Sequence, residues 1–95
     1  MKCKSLEEVR SNIDRIDDEI IKLIAERTTY VKQASFFKKS EDGVKSPERV
    51  EAVIKKVREK ASEYGASPEI VETVYREMIA GFINMEMEIF KNNNN

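Results

Sequence analysis

Ninety-five residues, 40% of them hydrophobic, suffice for one small domain and not for two independent cores. Seventeen basic side chains against eighteen acidic ones leave a net charge of -1, which gives no long-range pull on nucleic acid or an anionic membrane. Histidine is absent, no carboxylates fall at metal-ligand spacing, no apolar run reaches the length of a signal segment or membrane span, and the single Cys3 has no intrachain partner, so a soluble cytoplasmic protein without metal or disulfide is expected.

The first helix opens at Ser5 and Glu8, the S-x-x-E spacing of a capping box. Leu6, Val9, Ile13, Ile16, Ile20, Leu23, Ile24, Val31 and Ala34 then fall within an arc of about 100° on a 3.6-residue wheel. No proline or glycine interrupts this seam before Gly43, so a helix from about residue 5 to 38 is expected. It would run roughly 50 Å, longer than a compact domain of this size is wide, and another subunit is needed to cover it. The polar stretch "SEDGVKSP", residues 40–47, reads as a loop. Ser46 and Pro47 supply the N-cap and first position of a second helix with a stripe of Val50, Val53, Ile54, Val57, Ala61 and Tyr64, which Gly65 closes. Ser67 and Pro68 repeat the start signal for a third helix, whose broad apolar face includes Ile70, Val74, Met78, Ile79, Phe82, Ile89 and Phe90. The expectation is an all-α chain of three helices with one long N-terminal helix, an intertwined homodimer, a single domain over residues 1–91 and a disordered tail over 92–95.

Charges intrude on the apolar stripes. Arg27 and Lys38 lie near the centre of the first seam, eleven residues and about three turns apart. Such cations either snorkel from an interface and pair with a carboxylate, or line a polar cavity. Glu86 sits on the apolar face of the third helix among Phe82, Ile79 and Phe90, where a glutamate is costly without a partner. Arg10 points about 100° away from Arg27, so the two cannot serve one pocket within a straight helix but could do so across a dimer. Arg49 flanks the second stripe, either solvated or closing the cavity. Arg10, Arg27, Lys38 and Arg49 with the acid Glu86 would suit a small dianion, because arginine forks match carboxylates and lysine supplies a compact charge.

Together these residues resemble the all-helical chorismate mutases and their relatives, the isochorismate pyruvate lyases. The similarity runs through "VRSNIDRIDDEIIKLIAER" (9–27), "YVKQASFFK" (30–38), "SPERV" (46–50) and "FINMEMEIF" (82–90). The resemblance implies an intertwined dimer of three-helix chains, each site completed by an arginine of the other chain, with no cofactor. It implies that Arg27 grips one substrate carboxylate and Arg10 of the partner subunit the other. Lys38 would contact a carboxylate and the ether oxygen of the breaking bond, and Arg49 helps build the site. Glu86 falls where many members carry a glutamine that donates to that oxygen. The substrate-binding set is then Arg10, Arg27, Lys38, Ser46, Arg49, Val50 and Phe82, with Lys38, Glu86 and Arg27 as the catalytic residues. Val50 stands where many mutases have a glutamate for the ring hydroxyl, and Ser46 where an aspartate is frequent; with "YVK.AS.FK" and "PERV" these look more like the lyase branch.

The reaction implied first is the pericyclic rearrangement of chorismate to prephenate; the second is loss of pyruvate from isochorismate to give salicylate. Clamping both carboxylates removes part of the entropic barrier, and fixed donors stabilise charge growing on the ether oxygen. An ionised Glu86 can only accept hydrogen bonds, so it must be protonated to help. The segment Lys39–Lys45 would close over substrate with Gly43 as hinge, or serve as a plain connector. A non-catalytic helical dimerisation module remains a third reading. A helix-turn-helix DNA binder is disfavoured, since no helix has a basic outer face.

Overall fold

The computed structural model describes residues 2–93. Its elements are α1 (Leu6–Ser35), α2 (Glu41–Lys45), α3 (Pro47–Tyr64) and α4 (Pro68–Asn93), with no strand among the described residues. The three long helices and the all-α class agree with the sequence. α4 continues through Asn92 and Asn93, and the rest of the expected tail, residues 94 and 95, lies outside the described residues. The chain divides into two compact units, Met1–Tyr30 and Val31–Asn95.

The first unit carries most of α1. The Glu8 amide donates to Ser5 Oγ at 3.0 Å, which is half of the expected capping box. The Glu8 carboxylate accepts from the Lys4 amide, also at 3.0 Å, one residue ahead of the reciprocal bond such a box would make. The helix holds thirty residues and so spans about 45 Å. Its seam is poorly covered: exposure runs from 37% at Ile24 to 63% at Leu23, with Ile13, Ile16 and Ile20 near one half.

In the second unit, α1 stops at Ser35, short of the expected end near residue 38. The buried Ser35 hydroxyl donates to Lys32 O at 2.6 Å. The next three amides, of Phe36, Phe37 and Lys38, each reach back three residues, to Gln33, Ala34 and Ser35 carbonyls at 3.2, 3.0 and 3.3 Å. This tighter winding advances the chain by more than an α-helical step per residue. Lys38 is therefore placed by a tightened turn and not by the helix wheel.

The expected loop contains a helix. Ser40, with extended backbone, accepts from the Gly43 amide at 3.1 Å and caps α2, whose first turn holds Glu41 and Asp42 and whose last holds Lys45. That charge order complements the helix dipole. Ser46 occupies the N-cap position of α3 as expected but makes no side-chain cap bond, because its backbone is left-handed (φ 32°, ψ 68°). Its amide instead closes α2 on Asp42 O at 2.7 Å. Gly65, at φ 78°, ends α3, and the Ala66 amide returns to Ala61 O at 2.7 Å in the pattern of a Schellman turn. Ser67 then caps α4 by accepting from Ile70 N–H at 3.2 Å.

α3 and α4 form an antiparallel hairpin around Ile54 and Ala61, each 4% exposed. Charges strap its surface. Arg76 on α4 holds Glu51 of α3 with two forked bonds, 2.9 and 3.0 Å, and donates through Nε to Glu72 at 2.7 Å. Arg58 of α3 donates to the other Glu72 oxygen at 2.7 Å and lies 3.5 Å from Glu69. The hydrogen bonds from Arg76 hold the Glu51 and Glu72 carboxyls below their ordinary value of 4.5, with Arg58 adding to the effect on Glu72. For a lowered carboxyl pKa, the stabilisation is complete above the unfolded value and is lost as pH falls through the folded one. The melting temperature should accordingly drop as the pH is taken below 4.5. Arg76→Gln should start lower and lose less over that range; an equal acid-side loss in thermal melts of both proteins would contradict the assignment.

Candidate active site

Two sequence-predicted residues meet in the second unit. Lys38, 28% exposed at its side chain, places Nζ 3.9 Å from Oε2 of Glu86, whose side chain is 10% exposed. The same ammonium donates to the Gly43 carbonyl at 3.2 Å. Glu86 is delivered by α4 from a face that is otherwise apolar, so the pairing expected for a buried glutamate is present. A lysine ammonium has three protons and accepts nothing. With one proton on Gly43 O and its charge beside the nearly buried Glu86, it is presented as a compact donor.

The remaining members of the set are distributed as follows. Ser46 is the joint between α2 and α3, and Arg49 and Val50 follow in the first turn of α3, Arg49 exposed and Val50 partly buried. Phe82 lies one turn ahead of Glu86 on α4 and is partly buried. Arg10 and Arg27 belong to α1 in the first unit, Arg10 exposed and Arg27 partly buried. No group of three or more His, Cys, Asp or Glu side chains suited to a metal ion occurs among the described residues. No helix among them is long and apolar enough to cross a membrane.

Residues 9–87, which include every one of these positions, match the family described as chorismate mutase type II. The chain belongs to the chorismate mutase type II family. Two curated relatives bracket it. One is the isochorismate pyruvate lyase of Pseudomonas aeruginosa, 35% identical over 89 residues that make up 94% of this chain and 88% of that protein. The other is the bifunctional chorismate mutase/prephenate dehydratase of Aquifex aeolicus, 33% identical over 90 residues. The match takes in 90% of this chain but 25% of that longer protein. The family assignment agrees with the resemblance drawn from the motifs.

Sequence reasoning missed two contributors that a chorismate mutase type II chain need not advertise. The Gly43 carbonyl that holds Lys38 is backbone and leaves no side-chain signature. Val44, at 3% exposure the most buried apolar residue among the described residues, lies in a stretch whose composition reads as loop. The signal that could have found it was local: Ser40 as N-cap, two acids in the first turn and a lysine in the last.

Proposed function

We propose that the protein is a chorismate mutase, converting chorismate to prephenate without cofactor in a site shared between two copies of the chain. One observation carries the reading: within a chorismate mutase type II chain, a lysine and a buried glutamate from separate elements converge, Lys38 Nζ standing 3.9 Å from Glu86 Oε2. Arg27 grips one carboxylate of the substrate and Arg10 of the partner subunit the other. Held at both ends, the enolpyruvyl arm is kept over the ring, and the entropic part of the barrier falls. Lys38 donates to the ether oxygen as the C–O bond lengthens. Glu86, when protonated, supplies a second donor to the same atom. Arg49 closes the anionic end, while Ser46, Val50 and Phe82 shape the cavity around the ring.

A second reading, isochorismate pyruvate lyase, is favoured by the relative of that name, which matches over 88% of its own length, and by Val50 in place of a ring-hydroxyl acceptor. The deciding experiment incubates the purified protein with chorismate and isochorismate separately. Prephenate from chorismate is expected. Salicylate plus pyruvate from isochorismate alone would move the assignment to the lyase, and no product from either would leave the protein as a helical dimerisation module.

The glutamate carries its own prediction. Since only the protonated form donates, turnover per site should fall as pH rises and the carboxyl ionises. Glu86→Gln replaces that switch with a permanent donor. Its pH–rate profile should lack the alkaline decline expected of the parent protein, and superimposable profiles would rule out the role.

A further inference from the structure

The segment between α1 and α3 is neither a slack loop nor hinged where the glycine is. Gly43 sits inside α2 with ordinary helical backbone, and its carbonyl holds the Lys38 ammonium at 3.2 Å. Val44, one residue on, is 3% exposed and is the buried residue of α2, a helix that packs against α4. The abnormal backbone is at Ser46. It is the one non-glycine residue with positive φ among the described residues, and it immediately precedes Pro47. Both circumstances penalise it: a Cβ disfavours the left-handed region, and a following proline pushes a residue toward extended backbone. The strained geometry is retained where α2 is closed off, since the Ser46 amide bonds Asp42 O at 2.7 Å. Strain of this kind is held only while surrounding contacts over-determine it.

We infer that α2 is a docked clasp that aims Lys38 through the Gly43 carbonyl, anchored by Val44 and released at Ser46. Val44 is thus a positioning residue, acting on substrate chemistry through Lys38, and the Ser46 backbone acts by the same route whatever its side chain contributes to the cavity wall. In the docked state the lysine has one proton committed to Gly43 O and its remaining donors directed by that bond. When α2 lifts, Ser46 relaxes toward the extended backbone that Pro47 favours, the Gly43 contact parts, and the flexible lysine stem loses its orientation. Glycine at position 46 would remove the penalty and hold the clasp shut. Alanine at 44 would remove the anchor and loosen it. The effect on catalysis rests on the function proposed above; the effect on α2 itself does not.

Two readouts separate these. Amide hydrogen exchange of the whole protein reports the clasp directly, through the amides of Gly43, Val44 and Ser46, which bond Ser40 Oγ, Ser40 O and Asp42 O. After correction for intrinsic rates, Ser46→Gly should slow the Gly43 and Val44 amides by roughly fivefold or more, the scale set by a left-handed backbone penalty. Val44→Ala should accelerate them by at least about tenfold while the amides of Ile54 and Ala61 on α3 stay as protected as before. Unchanged exchange in Ser46→Gly, or loss of protection throughout the chain in Val44→Ala, overturns the clasp. The second readout is kcat/KM for chorismate and isochorismate in a double-mutant cycle. Val44→Ala should lower it in the parent protein and have no further effect in a Lys38→Ala background. An equal loss in both backgrounds would mean that Val44 acts structurally and not through Lys38. If the parent protein turns over neither compound, the functional reading fails and the exchange experiment alone decides the clasp.

Discussion

Lys38→Ala is expected to lower kcat/KM by roughly 10²- to 10³-fold, the usual loss when one preorganised donor to a developing oxyanion is removed. The proposed role gives it this weight: the ether oxygen gains charge in the transition state, and the ammonium is a fixed donor beside it. The substitution also removes a cation that stands 3.9 Å from the Glu86 carboxylate, so part of any loss could come from a weakened fold. The double variant Lys38→Ala/Glu86→Gln separates the two effects, because the neutral amide needs no counter-charge. It should recover most of the melting temperature lost in Lys38→Ala and none of the turnover. Full activity in Lys38→Ala, or activity recovered together with stability, would defeat the assignment of Lys38 to the chemistry.

The largest effect on assembly should come from the α1 seam. A charge at Ile16, 45% exposed in the single chain, would be nearly neutral on a monomer's surface, where substitutions usually change stability by less than about 0.5 kcal/mol. On a seam covered by a second copy it would bury an unpaired carboxylate and cost several kcal/mol, on the order of 3 to 5. Sedimentation of Ile16→Asp should therefore find a monomer of reduced helicity where the parent protein is expected to run as a dimer. Complementation checks that the sites are shared. Arg10→Ala and Arg27→Ala should each be nearly inactive, yet mixing and reassociating them in equal amounts should restore about a quarter of the sites, since half of the dimers are mixed and each of these holds one intact site. Adding Ile16→Asp to either partner should abolish the recovery. A parent protein that is monomeric and fully helical at micromolar concentration, or mixtures that regain nothing, would remove the shared-site proposal.

Legibility in the sequence followed the range of the forces involved. Helix starts at Ser5 and Ser67, the stop at Gly65 and the start of α3 at Pro47 were readable because a cap or a proline ring acts over three or four residues. The end of α1 was misplaced by three residues because no glycine or proline marks it; the helix tightens where Ser35 is buried and turned back onto Lys32 O. In the sequence, Gly43 and the polar run outweigh the capping residues of α2 and read as loop, whereas in the fold Val44 is buried, a long-range effect that favours helix. For the site, a lysine and a glutamate out of place on apolar stripes pointed to Lys38 and Glu86, and the two do meet. Helical periodicity nonetheless does not place Lys38, since the residue follows a turn wound differently from the helix.

The strap across α3 and α4 also bears on how the hairpin chooses its alignment. With apolar contacts as small as Ile54 and Ala61 at its centre, packing alone discriminates weakly between the native pairing and one displaced by a turn. The ionic ladder does not share that tolerance. Slipping α4 by four residues would set Glu51 against Glu72 where Arg76 now stands, exchanging a forked attraction for a repulsion. Misaligned hairpins are thus penalised by electrostatics, which leaves the greasy positions free to drift among side chains of similar bulk.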